Sequence, residues 1–275
     1  MHPDQIPEPS AEVLSKLDRD IGFIPSDTNG LEWLAPNQVD QFNKQGFLAP
    51  FDGLSREETS ELRNYFDGML DAFRDLGRSS YSISTSHLRF ARIYNLMSHP
   101  AILGPVSDLL GPNVVAWGAH FFCKLPKDGK HVPWHQDALY WPITPTRTVT
   151  VWLAIDDTDA ENANMQFIPR SHLHGPIEFE TLDDESAVLK LQSKNPEDYG
   201  DPPFDNILRA GQFSIHADLL LHGSEANESD RRRCGLTMRY AAADVKAYHD
   251  WHYKGILVKG EDKDGNWANL PCPNC

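Results

Sequence analysis

Basic charge is scarce in this 275-residue chain: 25 Lys and Arg stand against 40 Asp and Glu, a net charge of −15. The longest basic run is Arg231, Arg232, Arg233. A field of that sign repels phosphates, so nucleic acid and anionic membrane are excluded as partners. Long apolar runs are absent too. No stretch approaches the roughly 18 residues that a spanning helix needs. The opening MHPDQIPEPSAE lacks the basic and apolar regions of a secretory signal, so the expected location is cytoplasmic. The four cysteines, Cys123, Cys234, Cys272 and Cys275, are too few and scattered for a disulfide framework. Reduced thiols are expected, with the terminal CxxC a mobile tail because it lacks the second pair that zinc would need. Disorder is excluded by a hydrophobic content of 40% with 24% charged residues.

Residues 1–35, rich in Pro, Asp and Glu, read as a loosely attached N-terminal arm. Ser55 and Glu58 form a capping box ahead of Leu62, Phe66, Met69, Leu70 and Phe73 at helical spacing, predicting a helix over 55–77. A second helix is expected over 99–110. Beyond it the pattern changes to short β-branched and aromatic runs at 114–124, 149–155, 165–168, 213–216 and 236–241. In 149–155, Val149, Val151, Leu153 and Ile155 alternate with Thr150, Trp152 and Ala154. The fold class is therefore mainly β with flanking α-helices, an antiparallel barrel or sandwich. The stretch from Glu178 to about 206 is a long insertion of the kind that covers a site.

Chemistry concentrates in VPWHQDALYW. His135 and Asp137 are two apart in an extended segment, so both point to one side. His222 in LLLHGS is the candidate third ligand. Two histidines and one carboxylate on one triangular face suit a non-haem Fe(II) oxygenase, with open positions for O2 and a cosubstrate. A dicarboxylate cosubstrate needs a cation at its far end. Arg233 lies eleven residues beyond His222 and is expected on the neighbouring strand; Ser224 shares the face of His222.

Four segments in order, WHQD at 134–137, IPRSH at 168–172, LHGS at 221–224 and Arg233, resemble the phytanoyl-CoA dioxygenase family of Fe(II)/2-oxoglutarate-dependent oxygenases, which includes ectoine hydroxylase. The resemblance covers about 35–246, which implies an oxygenase domain over 36–246 and leaves a C-terminal extension over 247–275. It implies a double-stranded β-helix, a cupin-like jelly roll with its core at about 112–245. It implies Fe(II) on His135, Asp137 and His222, and 2-oxoglutarate on Arg233 and Ser224. Trp141 falls where ectoine hydroxylase has an aromatic wall. Ala163 and Arg170 depart from the glycines usual in the family. The aspartate at 137 makes hydroxylation the expected reaction, with O2 consumed and succinate and CO2 released.

Other residues are assigned more loosely. On one strand face, His120 and Lys124 are candidates to hold 2-oxoglutarate or substrate. Arg239 shares a face with Arg233 and is a candidate substrate cation, unless it satisfies Asp218. Tyr140 is a candidate wall residue. Arg231 and Arg232 read as solvated turn charges, Gln136 as structural, and His131, His172 and His174 as satisfied histidines. The acidic balance suggests a cationic or zwitterionic small substrate, such as an amino acid derivative, aminophosphonate or amino sugar, chosen by residues 78–92 and 176–206. The alternatives are a zinc-dependent hydrolase or isomerase on the same barrel, or a non-catalytic metal-stabilised binding module. A monomer or homodimer is expected.

Overall fold

The computed structural model describes Ile6 and residues 8–273. Five helices precede or flank the strands: α1 (Ala11–Ser15), α2 (Pro36–Gln45), α3 (Arg56–Asp75), α4 (Ala91–Leu96) and α5 (Pro100–Leu110). In α3 the Ser55 hydroxyl accepts from the Glu58 amide at 3.2 Å while the Glu58 carboxylate accepts from the Ser55 amide at 2.8 Å. The predicted helix is thereby confirmed, as is the second. The helix α2 was not anticipated: Pro36 starts it, and Gly46 ends it at φ 87°, a conformation that costs glycine nothing.

Six strands form the larger sheet. They are β1 (Phe47–Asp52), β2 (Val114–Lys124), β4 (Thr148–Ala154), β7 (Gln212–Ala217), β9 (Arg233–Ala242) and β10 (Ile256–Lys259), ordered β1-β7-β4-β9-β2-β10 with every neighbour antiparallel. The smaller sheet contains β3 (Val132–His135), β5 (Met165–Phe167), β6 (Phe204–Asn206) and β8 (His222–Ser224), ordered β3-β8-β5-β6. The fold is the expected jelly roll. Its large sheet extends beyond the 112–245 core, because β1 lies before that range and β10 comes from the C-terminal extension.

Strand alternation sorts the residues into two layers. Val149, Val151 and Leu153 of β4 and Leu236, Met238 and Tyr240 of β9 pack with Phe42, Leu62, Phe66 and Val106 of the helices. The other face of β4 turns inward, where Trp152 and Ala154 meet Met165 and Phe167 of the smaller sheet. Both faces of β4 are buried, one against helices and one against the barrel interior.

Two expectations fail here. Arg232 is not a solvated turn charge. Its Nε and Nη2 grip Asp156 at 2.7 and 2.9 Å, and Nη1 reaches Asp67 of α3 at 2.5 Å, tying helix to barrel. Cys272 is disulfide-bonded, whereas Cys123 and Cys234 are buried free thiols facing each other in register; Cys275 lies outside the described residues. No helix among the described residues is long and apolar enough to cross a membrane.

Candidate metal centre

The strand β3 ends at His135, which pairs in register with His222 of β8, bringing the two ring centroids to 4.1 Å. Each ring donates from Nδ1 to the carbonyl two residues before it, His135 to Pro133 at 2.8 Å and His222 to Leu220 at 3.0 Å. These bonds fix the tautomers and leave both Nε2 atoms as bare lone pairs. Asp137 opens a short 3-10 turn, Asp137–Tyr140, and its Oδ1 lies 3.8 Å from His135 Nε2. Ligand atoms of His135, Asp137 and His222 all fall within 4.8 Å of one another, and all three residues are buried. Thr150 of β4 donates to Asp137 Oδ2 at 3.1 Å, which fixes the second oxygen.

Electrostatics prepare this set for a divalent cation. Burial, reinforced by His222, pushes His135 down to about 3. Burial alone would push Asp137 up, but the Arg239 cation and the surrounding imidazoles outweigh it and hold the carboxyl below its ordinary value. A neutral His135 and an ionised Asp137 need lose no proton before a metal binds. Two nitrogens and one carboxylate oxygen converging from one side fit ferrous iron with open positions opposite.

A third imidazole escaped the sequence reading. His216 of β7 is 1% exposed, its Nε2 lies 3.9 Å from Asp137 Oδ2, and neither ring nitrogen has a hydrogen-bond partner among the described residues. The alternation of β7 carries the signal: Phe213 and Ile215 face the helices, so Ser214 and His216 must face inward.

Arg233 is fully buried on the far wall of the same recess. It is not on the strand beside His222: β9 belongs to the larger sheet and β8 to the smaller, so the pair meet across the barrel. Its Nη2 donates to Ser224 Oγ at 2.9 Å and its Nε to the Ala163 carbonyl at 3.0 Å, above the ring of Trp152. No carboxylate among the described residues pairs with it, and burial lowers its pKa. Ala163 and Arg170 both adopt left-handed backbone, at φ 61° and 74°, which explains why glycine is usual there. Lys124 departs from expectation. Its Nζ donates to the backbone carbonyls of Ser224 and Glu225, outside the recess lining, so it buttresses the Ser224 segment rather than reaching a ligand.

A second cavity of about 340 Å³ adjoins the metal ligands. His135 and Asp137 form one end; Arg239, His120, Tyr140, Trp141 and Trp117 form its walls. Burial, then Arg239, pushes His120 down to about 3, and its Nε2 has no partner. Tyr140 donates to the Leu191 carbonyl at 3.1 Å. Ser84, Thr85 and Leu189 come from the two segments expected to set specificity. The arm, given no chemistry, also contributes: Glu8 lines the cavity, and Arg19 donates to the carbonyls of Ala138 and Trp141 at 3.0 and 2.7 Å. Arg239 does not satisfy Asp218, which instead accepts from Thr148. A larger cavity, about 590 Å³ between the arm and α5, holds none of the metal ligands.

Comparison with known proteins matches this geometry. The phytanoyl-CoA dioxygenase family profile matches residues 42–235. A probable alpha-ketoglutarate-dependent hypophosphite dioxygenase of Stutzerimonas stutzeri is 29% identical over 186 residues, spanning 65% of this chain and 64% of that protein. The peroxisomal phytanoyl-CoA dioxygenase of Bos taurus is 25% identical over 270 residues, 82% of this chain and 78% of that one. Among solved structures, the non-haem monooxygenase ThoJ in its apo form superimposes with a TM-score of 0.74 at 26% identity, covering 86% of this chain and 88% of that one.

Proposed function

The chain belongs to the phytanoyl-CoA dioxygenase family of Fe(II)- and 2-oxoglutarate-dependent oxygenases, and on that premise we propose that it hydroxylates a C–H bond of a small metabolite. The observation that carries this reading is the pairing of a pre-set His135–Asp137–His222 triad with a buried, acid-free Arg233–Ser224 clamp in one recess. A zinc hydrolase would leave Arg233 without a purpose.

When bound, ferrous iron supplies the oxidising chemistry: one oxygen atom of O2 enters the substrate C–H bond, and the other enters 2-oxoglutarate as it becomes succinate and CO2. His135, Asp137 and His222 hold the metal. Arg233 has N–H donors left after Ser224 and Ala163, and a carboxylate accepts two of them from its planar fork. Trp152, Met165 and Phe122 line the recess and exclude water, which strengthens the Arg233 contact and protects the reacting groups. Thr150 holds Asp137 in orientation.

Anaerobic addition of Fe(II) and then 2-oxoglutarate produces the weak visible charge-transfer band of chelation if this assignment is right. His135→Ala abolishes the band. A wild-type protein that shows no band and prefers Zn(II) refutes the assignment. The hypophosphite and acyl-CoA relatives are named for anionic substrates, and the cavity beside the metal bears on that point.

A further inference from the structure

We propose that the substrate carries an oxyanionic head group, a carboxylate or phosphonate, held by Arg239 in the cavity beside the metal ligands. The inference deepens the oxygenase reading and rests on it.

Arg239 stands where the two cavities join and lines both of them. The backbone is shaped around it. Gly118 is its register partner on β2, and a Cβ there would come within 3.1 Å of Arg239 Cδ. The next pair is Tyr240 with Ala116, so Trp117 is the extra residue of a bulge. A bulge re-aims the side chain it frees, and Trp117 lines the outer cavity. The guanidinium carbon lies 5.8 Å from the Trp117 ring and 5.1 Å from the Trp141 ring, aromatic contacts that hold a planar cation while leaving its edge free to donate.

That edge lacks acceptors. Arg239 makes no hydrogen bond or ion pair with any described residue, and its Nε is buried without a partner. Asp137 feels its charge but forms no ion pair with it. The other cations near the site are engaged: Arg233 by Ser224 and Ala163, Arg19 by two carbonyls, and Lys254 by Glu8 at 2.8 Å. A guanidinium with five donors and no acceptor, aimed into a cavity beside a catalytic metal site, calls for an oxyanion.

The acidic whole-chain charge does not oppose this. Exposed charges are screened over about 8 Å at physiological salt, whereas Arg239 borders the cavity directly. An amine would meet the Arg239 cation, which no carboxylate among the described residues pairs. A zwitterion fits through its anionic end.

Calorimetric titration of the metal-free full chain with propylphosphonate, butyrate and butylamine tests the assignment. Wild type binds at least one of the two anions and not the amine, and whichever anion binds identifies the head group. Arg239→Met weakens that binding at least tenfold (about 1.4 kcal/mol), Arg239→Lys restores part of it, and Arg233→Met leaves it in place. Preference for butylamine, binding of neither anion, indifference to Arg239→Met, or loss in Arg233→Met alone each overturns the proposal. Should Arg239→Met fail to fold, the charge preference of wild type still decides. The Fe(II)/2-oxoglutarate band of wild type separates the two readings: a band without anion binding sinks only the Arg239 assignment, and no band sinks the oxygenase reading.

Discussion

Replacing Arg233 by methionine separates two consequences that a merely structural arginine would join. In the free protein Arg233 is 2% exposed and has only neutral acceptors, Ser224 Oγ and the Ala163 carbonyl. An unpaired buried cation is costly, so its removal offsets the loss of those two bonds. The bereft carbonyl costs about 1–3 kcal/mol, and the released charge repays several kcal/mol. Arg233→Met should therefore melt within a few degrees of wild type. For 2-oxoglutarate the balance is one-sided. Truncating one member of a buried, hydrogen-bonded charge pair costs about 2–5 kcal/mol, a 30-fold to several-thousandfold rise in Kd. Arg233→Lys keeps the charge without the fork and should fall between. Anaerobic titration of the charge-transfer band gives the Kd, and a thermal scan of the same samples gives stability. A variant that binds 2-oxoglutarate within threefold of wild type, or that binds poorly because it has unfolded, refutes the clamp.

Thr150→Val removes the donor to Asp137 Oδ2 while conserving shape, and should weaken Fe(II) 10- to 100-fold without altering the fold, as competition with a chromophoric chelator will measure. In the metal-free protein His87, His120, His135 and His172 are pushed by burial to about 4, 3, 3 and 4. Between pH 6 and 5 the unfolded chain holds protons on these histidines and the native one does not, so stability rises with pH across this window. Asp218, pushed up to about 7 by burial, works the other way. His216 is pushed well down by burial too, so five histidines less Asp218 leave four net protons. At about 1.4 kcal/mol each per pH unit they predict a loss of about 5 kcal/mol per unit on acidification, and a flat urea-denaturation profile contradicts it. Ala163→Gly relieves a left-handed alanine and should raise stability by up to about 1 kcal/mol; a lower melting temperature would show that the turn is unstrained.

The parts of the site legible in the sequence are those with a period or a motif. His135, Asp137 and His222 were found from spacing and from the four ordered segments, and the alternation of 149–155 placed Thr150 and Trp152 on one face, without saying which face turns inward. What escaped depends on contacts between distant segments. Glu8 and Lys254 meet from opposite ends of the chain, and no local pattern announces that meeting. The fate of Lys124 is set by the carbonyls of Ser224 and Glu225, which only the closed barrel brings near. Arg232 looked solvated because its acids, Asp67 and Asp156, sit far away in sequence. The bulge at Trp117 is invisible for a related reason: a strand read by period two has no place for an extra residue until its partner's register is known. The whole-chain charge averages over the surface, whereas the walls of one cavity carry Arg239 and Lys254 beside Asp137 and Glu8.

One strand gathers these features. Arg233, Gly235, Thr237 and Arg239 share the inward face of β9, and each position answers a distinct demand. Arg233 meets Ser224. Gly235 admits Trp152, whose ring carbon would lie 2.1 Å from a Cβ there. Thr237 donates to the His120 carbonyl at 3.1 Å. Arg239 enters the outer cavity through the space left by Gly118. At about 3.3 Å per residue, the six-residue separation places the two arginine backbones about 20 Å apart. The strand is central in its sheet, paired on both sides, so that distance is rigid. The cosubstrate anchor and the proposed substrate anchor thus belong to one stiff element on either side of the metal ligands. The span from head group to metal ligands is then set between β9 and the β3–β8 pair across the barrel, while the segments around Ser84, Thr85 and Leu189 vary the rest of the pocket.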